Sequence, residues 1–244
     1  MLFESSSYCR ATGNSCRGST YESLASYDPA ATGLAHDNVF DSNVVRDAYC
    51  GLSSERAFRN TYSGNTIENC IAGINIYGDT AFSYSNTVTG NTIIGGPLSS
   101  ARGILVTGRA TNTSVTNNII RSWGTDVGYS RPIEVWTTDV LVQGNQFLGC
   151  AAAYLAADRV SFVGNLIDSA LHSGLYLAGT RSEMLIQGNT IRNCGRDGIT
   201  VEATLSNSQI VDNNLAGNRG QAIHFGAPYV NCVIQGNQWY DTPE

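Results

Sequence analysis

Residues 184–193 read MLIQGNTIRN and residues 233–240 read VIQGNQWY. The shared phrase is an apolar residue, a polar one, Gly-Asn, a polar residue and an apolar one, and imperfect copies of it fill most of the chain. Aligned on an asparagine followed two places later by an apolar residue, the copies fall at Asn43, Asn65, Asn91, Asn118, Asn145, Asn165, Asn189, Asn213 and Asn237. The steps between them are 22, 26, 27, 27, 20, 24, 24 and 24 residues. A unit of this length, repeated with loops of adjustable size, predicts a solenoid. The repeat leaves no place for an interior boundary, so residues 38–244 are read as one domain. Residues 1–37, rich in Ser, Gly, Ala and Tyr, are expected as an irregular segment that could serve as a first coil or a cap.

The unit beginning at Ser182 shows what each repeat folds into. Met184 and Ile186 alternate with polar residues, Gly188-Asn189 turns, Ile191 and Cys194 follow, Gly198 breaks, and Ile199 and Val201 close the unit. Period-2 alternation between breaks predicts three short strands, each burying one face. About 24 residues cannot hold a strand, a packed helix and two loops, and the apolar spacings of three and four that a helix needs are missing. The fold class is therefore all-β: a parallel β-helix of about nine coils, each stacked about 4.8 Å from the next.

Stacking writes out three inward columns. One holds Ile67, Ile93, Ile120, Phe147, Ile167, Ile191, Leu215 and Trp239. A second holds Ile76, Val106, Val135, Leu155, Leu177, Val201 and Phe225, and a third Val115, Val142, Phe162, Ile186, Ile210 and Ile234. Every member is apolar. The Gly-Asn phrase is then the corner of a coil, where a residue tolerant of left-handed backbone precedes an asparagine whose amide bonds to its counterparts in neighbouring coils.

The segments NTIENCIAGINI and NTIRNCGRDGITV resemble the repeats of the right-handed, single-stranded parallel β-helix of the pectate-lyase-like superfamily. The resemblance covers about residues 38–240. It implies a carbohydrate-active or phage tailspike-type protein whose active site lies on the strand around Gly-Ile-x-Val and on its flanking loops. The same scaffold carries lyases, hydrolases, epimerases, adhesins and inert spacers, so fold is implied more narrowly than activity. A trimer of side-by-side helices fits the resemblance, as does calcium in related lyases, but no carboxylate cluster here demands the ion.

Alternation also names the outward residues of that strand. One row is Asn75, Leu105, Glu134, Tyr154, Tyr176, Thr200 and His224; the next is Tyr77, Thr107, Trp136, Ala156, Ala178, Glu202 and Gly226. Tyrosines, a tryptophan and carboxylates on one sheet face predict a sugar groove, because aromatic rings stack on pyranose C–H faces while charged groups bind hydroxyl and uronate oxygens. The lengthened segments IIGGPLSSAR, RSWGTDVGYSRP and GDTAFSYSN enter or leave the same strand. Loops of that size in a solenoid are usually functional. The expected catalytic set is Glu134, Tyr154, Tyr176, Arg131 and Asp126. Trp136, Arg102, Asp79, Asn75, Tyr77, Glu202 and His224 are expected to bind substrate.

Two chemistries compete for that set. A glycosidase needs paired carboxyl groups, about 5 Å apart for retention or about 6.5–9.5 Å for inversion, so a partner for Glu134 would have to come from a loop, with Asp126 or Asp158 the best placed. A β-eliminating lyase needs a base and a cation that neutralises the uronate, which Tyr154 or Tyr176 with Arg131 could supply. The Asp-Pro-His-Glu of mannuronan epimerases and the paired aspartates of polygalacturonases are missing from the strand. A non-catalytic module that binds glycan or builds a cell-surface or virion structure is the alternative.

Composition removes other classes. A net charge of -6, with fourteen arginines and no lysine, argues against nucleic acid as a partner. No apolar run is long enough to span a membrane, and the N-terminus MLFESSSYCRATG lacks the cations and apolar core of a signal peptide. The expected partner is a polysaccharide or oligosaccharide, the expected place extracellular or on a cell or virion surface; either a longer parent chain or partners would cover the solenoid's ends, and the resemblance allows a homotrimer. No Cys or His cluster has metal-ligand spacing, so neither a metal nor another cofactor is expected. Cys70, Cys150 and Cys194 occupy one equivalent inward site in non-adjacent coils, leaving Cys9 and Cys16 as the only plausible disulfide pair.

Overall fold

The computed structural model describes residues 1–79, 83–95, 102–121 and 131–241. Three parallel sheets of ten strands each wall the molecule, and a three-stranded sheet of Arg181–Ser182, Leu205–Ser206 and Tyr229–Val230 runs along one corner. Each winding passes through the first, second and third wall in turn. The strands of the first wall that concern the site are Ala72–Gly78, Arg102–Gly108, Arg131–Val135, Ala153–Leu155, Leu175–Leu177, Ile199–Val201 and Ile223–Phe225, neighbours in that order.

The three inward columns stand in register: Ile93 opposite Ile67 and Ile120, Leu155 opposite Val135 and Leu177, Phe162 opposite Val142 and Ile186. Their members through the middle of the molecule are buried, whereas Phe225, Ile234 and Trp239 in the final winding are only partly covered. Glycine at the entry to the first wall follows from this packing. A side chain on Gly73 would stand 2.9 Å from Ile93 Cγ2, and one on Gly103 3.0 Å from Ile120 Cγ2, each also colliding with the next winding's backbone.

The corners between the second and third walls carry a continuous asparagine ladder. Asn91 Nδ2 donates to Asn118 Oδ1 at 2.9 Å, Asn118 Nδ2 to Asn145 Oδ1 at 2.9 Å, and Asn145 Nδ2 to Asn165 Oδ1 at 3.0 Å; the backbone N–H of each donates to the same oxygen. The other amide proton reaches a carbonyl of the preceding winding, as Asn145 Nδ2 does to Val115 O at 2.9 Å. The residue before each corner is left-handed, with φ of 64° at Gly90, 65° at Gly144 and 62° at Gly188, which accounts for the Gly-Asn phrase.

Residues 1–37, expected as an irregular segment that could serve as a first coil or a cap, hold the first winding and the start of the second. Leu2–Glu4, Arg10–Thr12 and Ser15–Arg17 open the three sheets, and Glu22–Tyr27 begins the second winding. Asn14 is a tenth corner, with Nδ2 donating to Asn43 Oδ1 at 2.9 Å. A second, shorter asparagine row, Asn38, Asn60 and Asn86, lines the corner between the first and second walls. There Ser26 and Ser54 replace apolar inward residues: Asn38 Nδ2 donates to Ser26 Oγ at 3.0 Å and Asn60 Nδ2 to Ser54 Oγ at 3.3 Å.

All seven cysteines are free. Cys9 and Cys16, expected as a pair, belong to different parts of the winding: Cys9 Sγ meets Ser7 O, while Cys16 packs against the core from the third wall. Burial pushes the Cys194 thiol up to about 12, so it is a filler rather than a nucleophile.

Candidate functional site

Register places Glu134, Tyr154, Tyr176, Thr200 and His224 in one outward row, as alternation requires. Glu134 does not stand open to solvent. It is 3% exposed, and its carboxylate accepts from Arg102 Nε at 3.1 Å, Arg131 Nη1 at 3.2 Å and Trp136 Nε1 at 2.9 Å. With three donors on its two oxygens it works as an anchor, drawing two guanidinium groups and an indole together.

Arg131 in turn lies flat on Tyr154, its guanidinium carbon 3.5 Å from the ring centre. Tyr154 and Tyr176 stack nearly parallel, 5.7 Å between centres at 7°, and Trp136 leans on Tyr154 at 5.2 Å and 40°. Arg131 and Tyr176 therefore take up the faces of Tyr154 that were expected to receive sugar, and Trp136, 46% exposed, is the aromatic surface left open. Burial, followed by a hydrogen bond to Glu202, pushes the Tyr176 hydroxyl up to about 12. It keeps its proton at neutral pH.

Beside this stack lies a groove of about 360 Å³. Arg131, Tyr154, Tyr176 and Glu202 line it, joined by Ala151, Ala152, His172, Ser173 and Arg196 from the turns that lead into the first wall. The groove thus lies toward the C-terminal side of Glu134, over the strands Ala153–Leu155, Leu175–Leu177 and Ile199–Val201. Below it, Thr200 Oγ1 sits 2.7 Å from Ser173 Oγ and 2.9 Å from Asp197 Oδ2. Strict alternation along the strand could not find Ser173, His172 or Arg196, because they precede the first-wall strands; their place one or two residues before Gly174 and Gly198 was the available signal.

The remaining expected residues stand apart. Asn75, Tyr77 and Asp79 belong to the strand Ala72–Gly78 or the turn after it, four strands and about 19 Å from Tyr176. Asp79 is clamped by Arg56, with Nε to Oδ1 at 2.7 Å. His224 is two strands beyond Tyr176 and pairs through Nδ1 with Gln221 Oε1 at 2.6 Å. Asp158 accepts Ser182 N–H at 2.8 Å as a turn residue, and Asp126 lies outside the described residues. Glu134 and Glu202 are three strands apart, about 14 Å, beyond the span of an inverting pair.

The sequence matches the family described as right handed beta helix region over residues 81–239, and the periplasmic copper-binding protein (NosD) family over residues 1–149. Curated proteins give no match. Among solved structures, the fold is shared with the catalytic unit of the GH87 α-1,3-glucanase from Streptomyces thermodiastaticus strain HF3-3, at a TM-score of 0.64 and 12% identity over 100% of this chain and 62% of that one. It is shared too with PfbA, a surface adhesin of Streptococcus pneumoniae (TM-score 0.57, 11% identity, 100% and 84% of the chains), and with the Dettilon tailspike protein (0.52, 13%, 83% and 55%). The chain spans less than two thirds of the glucanase and of the tailspike, and identities this low speak for the fold alone. The copper named for the NosD family finds no donor set among the described residues, where no three His, Cys, Asp or Glu side chains come together. Each family match spans more than half of the 244 residues: the chain belongs to the right-handed β-helix family and, through its first 149 residues, to the NosD family.

Proposed function

We propose that this chain binds polysaccharide along the groove over the first wall, as a carbohydrate-active β-helix working outside the cytoplasm. The observation that carries the reading is the groove itself, where Arg131, braced by Glu134 and laid on Tyr154, stands with Tyr176 and Glu202 around an open channel. Arg131 and Arg196 supply donors for hydroxyl, carboxylate or sulfate oxygens, and Glu202 supplies an acceptor. The glucanase, tailspike and adhesin that share the fold support a glycan or cell-surface setting for it.

Polysaccharide cleavage is a second reading, favoured by the titratable groups gathered in one channel. In that reading Glu202 and His172 carry the acid–base work. Tyr176, which holds its proton, serves as Glu202's partner rather than as the base of an elimination. Glu134 acts through Arg131.

Neutral and uronic-acid polysaccharides, tested for binding by affinity electrophoresis, for unsaturated products in the ultraviolet and for new reducing ends, decide between these readings. Binding by the parent that is lost in Arg131→Met and Tyr176→Ala is expected. Binding unaltered by both substitutions would remove the groove, and product formation would establish the second reading.

A further inference from the structure

Three groups under the groove share a hydrogen-bond chain whose direction is fixed by chemistry. Thr200 Oγ1 touches both Asp197 Oδ2, at 2.9 Å, and Ser173 Oγ, at 2.7 Å, but a hydroxyl has one proton to donate. A carboxylate has none, so the Thr200 proton goes to Asp197 and the Ser173 proton goes to Thr200. Asp197 is itself held in place: its Oδ1 accepts Gln221 N–H at 2.8 Å, and its backbone carbonyl accepts Gly174 N–H at 3.0 Å. Ser173 and Thr200 are 5% and 9% exposed, so solvent meets the chain mainly where Ser173 lines the groove.

We propose that the Asp197–Thr200–Ser173 chain makes Ser173 a fixed hydrogen-bond acceptor on the groove wall, so that this subsite selects a glycan offering a free hydroxyl proton. The inference rests on the glycan reading of the same groove and adds the polarity of one of its contacts. Tyr176 and Glu202 line the same channel beside Ser173. Ligand oxygens are met by Arg131 and Arg196, and ligand hydroxyl protons by Ser173. An acceptor that cannot turn into a donor discriminates strongly, because an analogue without the proton leaves two lone pairs facing each other.

Neutron diffraction from deuterated crystals of the full chain reads the chain directly. Deuterons are expected between Ser173 and Thr200, on Ser173, and between Thr200 and Asp197, on Thr200. A Ser173 deuteron pointing into the groove overturns the inference whatever the groove binds. Calorimetry with nigerotetraose and tetragalacturonate, each offered intact and with its hydroxyls O-methylated, tests recognition. The parent is expected to bind at least one intact probe and to lose tenfold or more on methylation. Thr200→Val frees the Ser173 proton to turn outward, and Ser173→Gly removes the acceptor, so each should shrink that ratio at least threefold. An unchanged ratio in both variants overturns the inference while leaving glycan binding intact. The expected deuterons with neither intact probe bound would overturn the glycan reading and the selectivity with it, leaving only the chain's direction.

Discussion

The asparagine corner and the groove are built from the same windings by opposite rules. At the corner each winding repeats its neighbour: Asn118, Asn145 and Asn165 make the same bonds to within 0.2 Å. In the groove the row changes from winding to winding, for Tyr154, Tyr176 and Thr200 follow Glu134 and only the two tyrosines repeat. Repetition satisfies buried polar groups at every level of the stack, so a corner is constrained by two neighbours. The outward row is constrained by sheet register alone, and what it carries is free to differ.

Breaking a corner should therefore cost the most. Asn145→Ala removes the acceptor of two buried donors, Asn118 N–H and Nδ2, and is expected to lower stability by about 4 kcal/mol in equilibrium urea unfolding. A loss under 1 kcal/mol would show that each winding satisfies itself.

Glu134 sits between the two rules, buried like a corner yet part of the outward row. Glu134→Gln leaves Arg102, Arg131 and the Trp136 indole sharing one neutral acceptor. It should cost about 2 kcal/mol, reduced by the exposure of Arg102, and weaken glycan binding about tenfold through the loosened Arg131. Rescue of binding by Glu134→Asp but not by Gln would separate the anchoring charge from packing.

The groove also sets a pH response that the corners lack. Tyr176 holds its proton up to about 12, above its ordinary value near 10. The native state then keeps a proton that the unfolded chain loses, so the stabilisation is complete below pH 10 and falls as pH rises from 10 to 12. Spectrophotometric titration should show one late tyrosine step that vanishes in Tyr176→Phe and moves down in Glu202→Gln. The smallest effect is expected on the far surface, where Arg192 pairs with Asp168 at 2.8 Å and remains about half exposed; Arg192→Met should change stability by about 0.5 kcal/mol.

Much of this was legible in the residues. Apolar columns and the Gly-Asn phrase give walls, corners and register, because period-2 alternation in a stack has one solution. The first 37 residues were legible only as a coil or a cap: Ser26, bonded to Asn38, replaces an apolar signal with an internal hydrogen bond, which composition reads as irregular chain. For the site, alternation identifies the face of a side chain and not its position along the axis. It brought Glu134, Arg131, Tyr154, Tyr176, Trp136, Arg102 and Glu202 to one region but added Asn75, Tyr77, Asp79 and His224 from windings outside the groove. It missed Ser173 and Arg196, which reach the groove from turns. Nor could it foresee that Tyr154 would lie between a guanidinium and another ring.

Steps between successive corner asparagines range from 20 to 29 residues, yet the Nδ2–Oδ1 distances along the ladder stay between 2.9 and 3.1 Å. Peptide spliced in between two rungs is thus absorbed sideways and never felt along the axis. Such a chassis tolerates exchange of what lies between its corners in the way a rail tolerates exchange of what hangs from it.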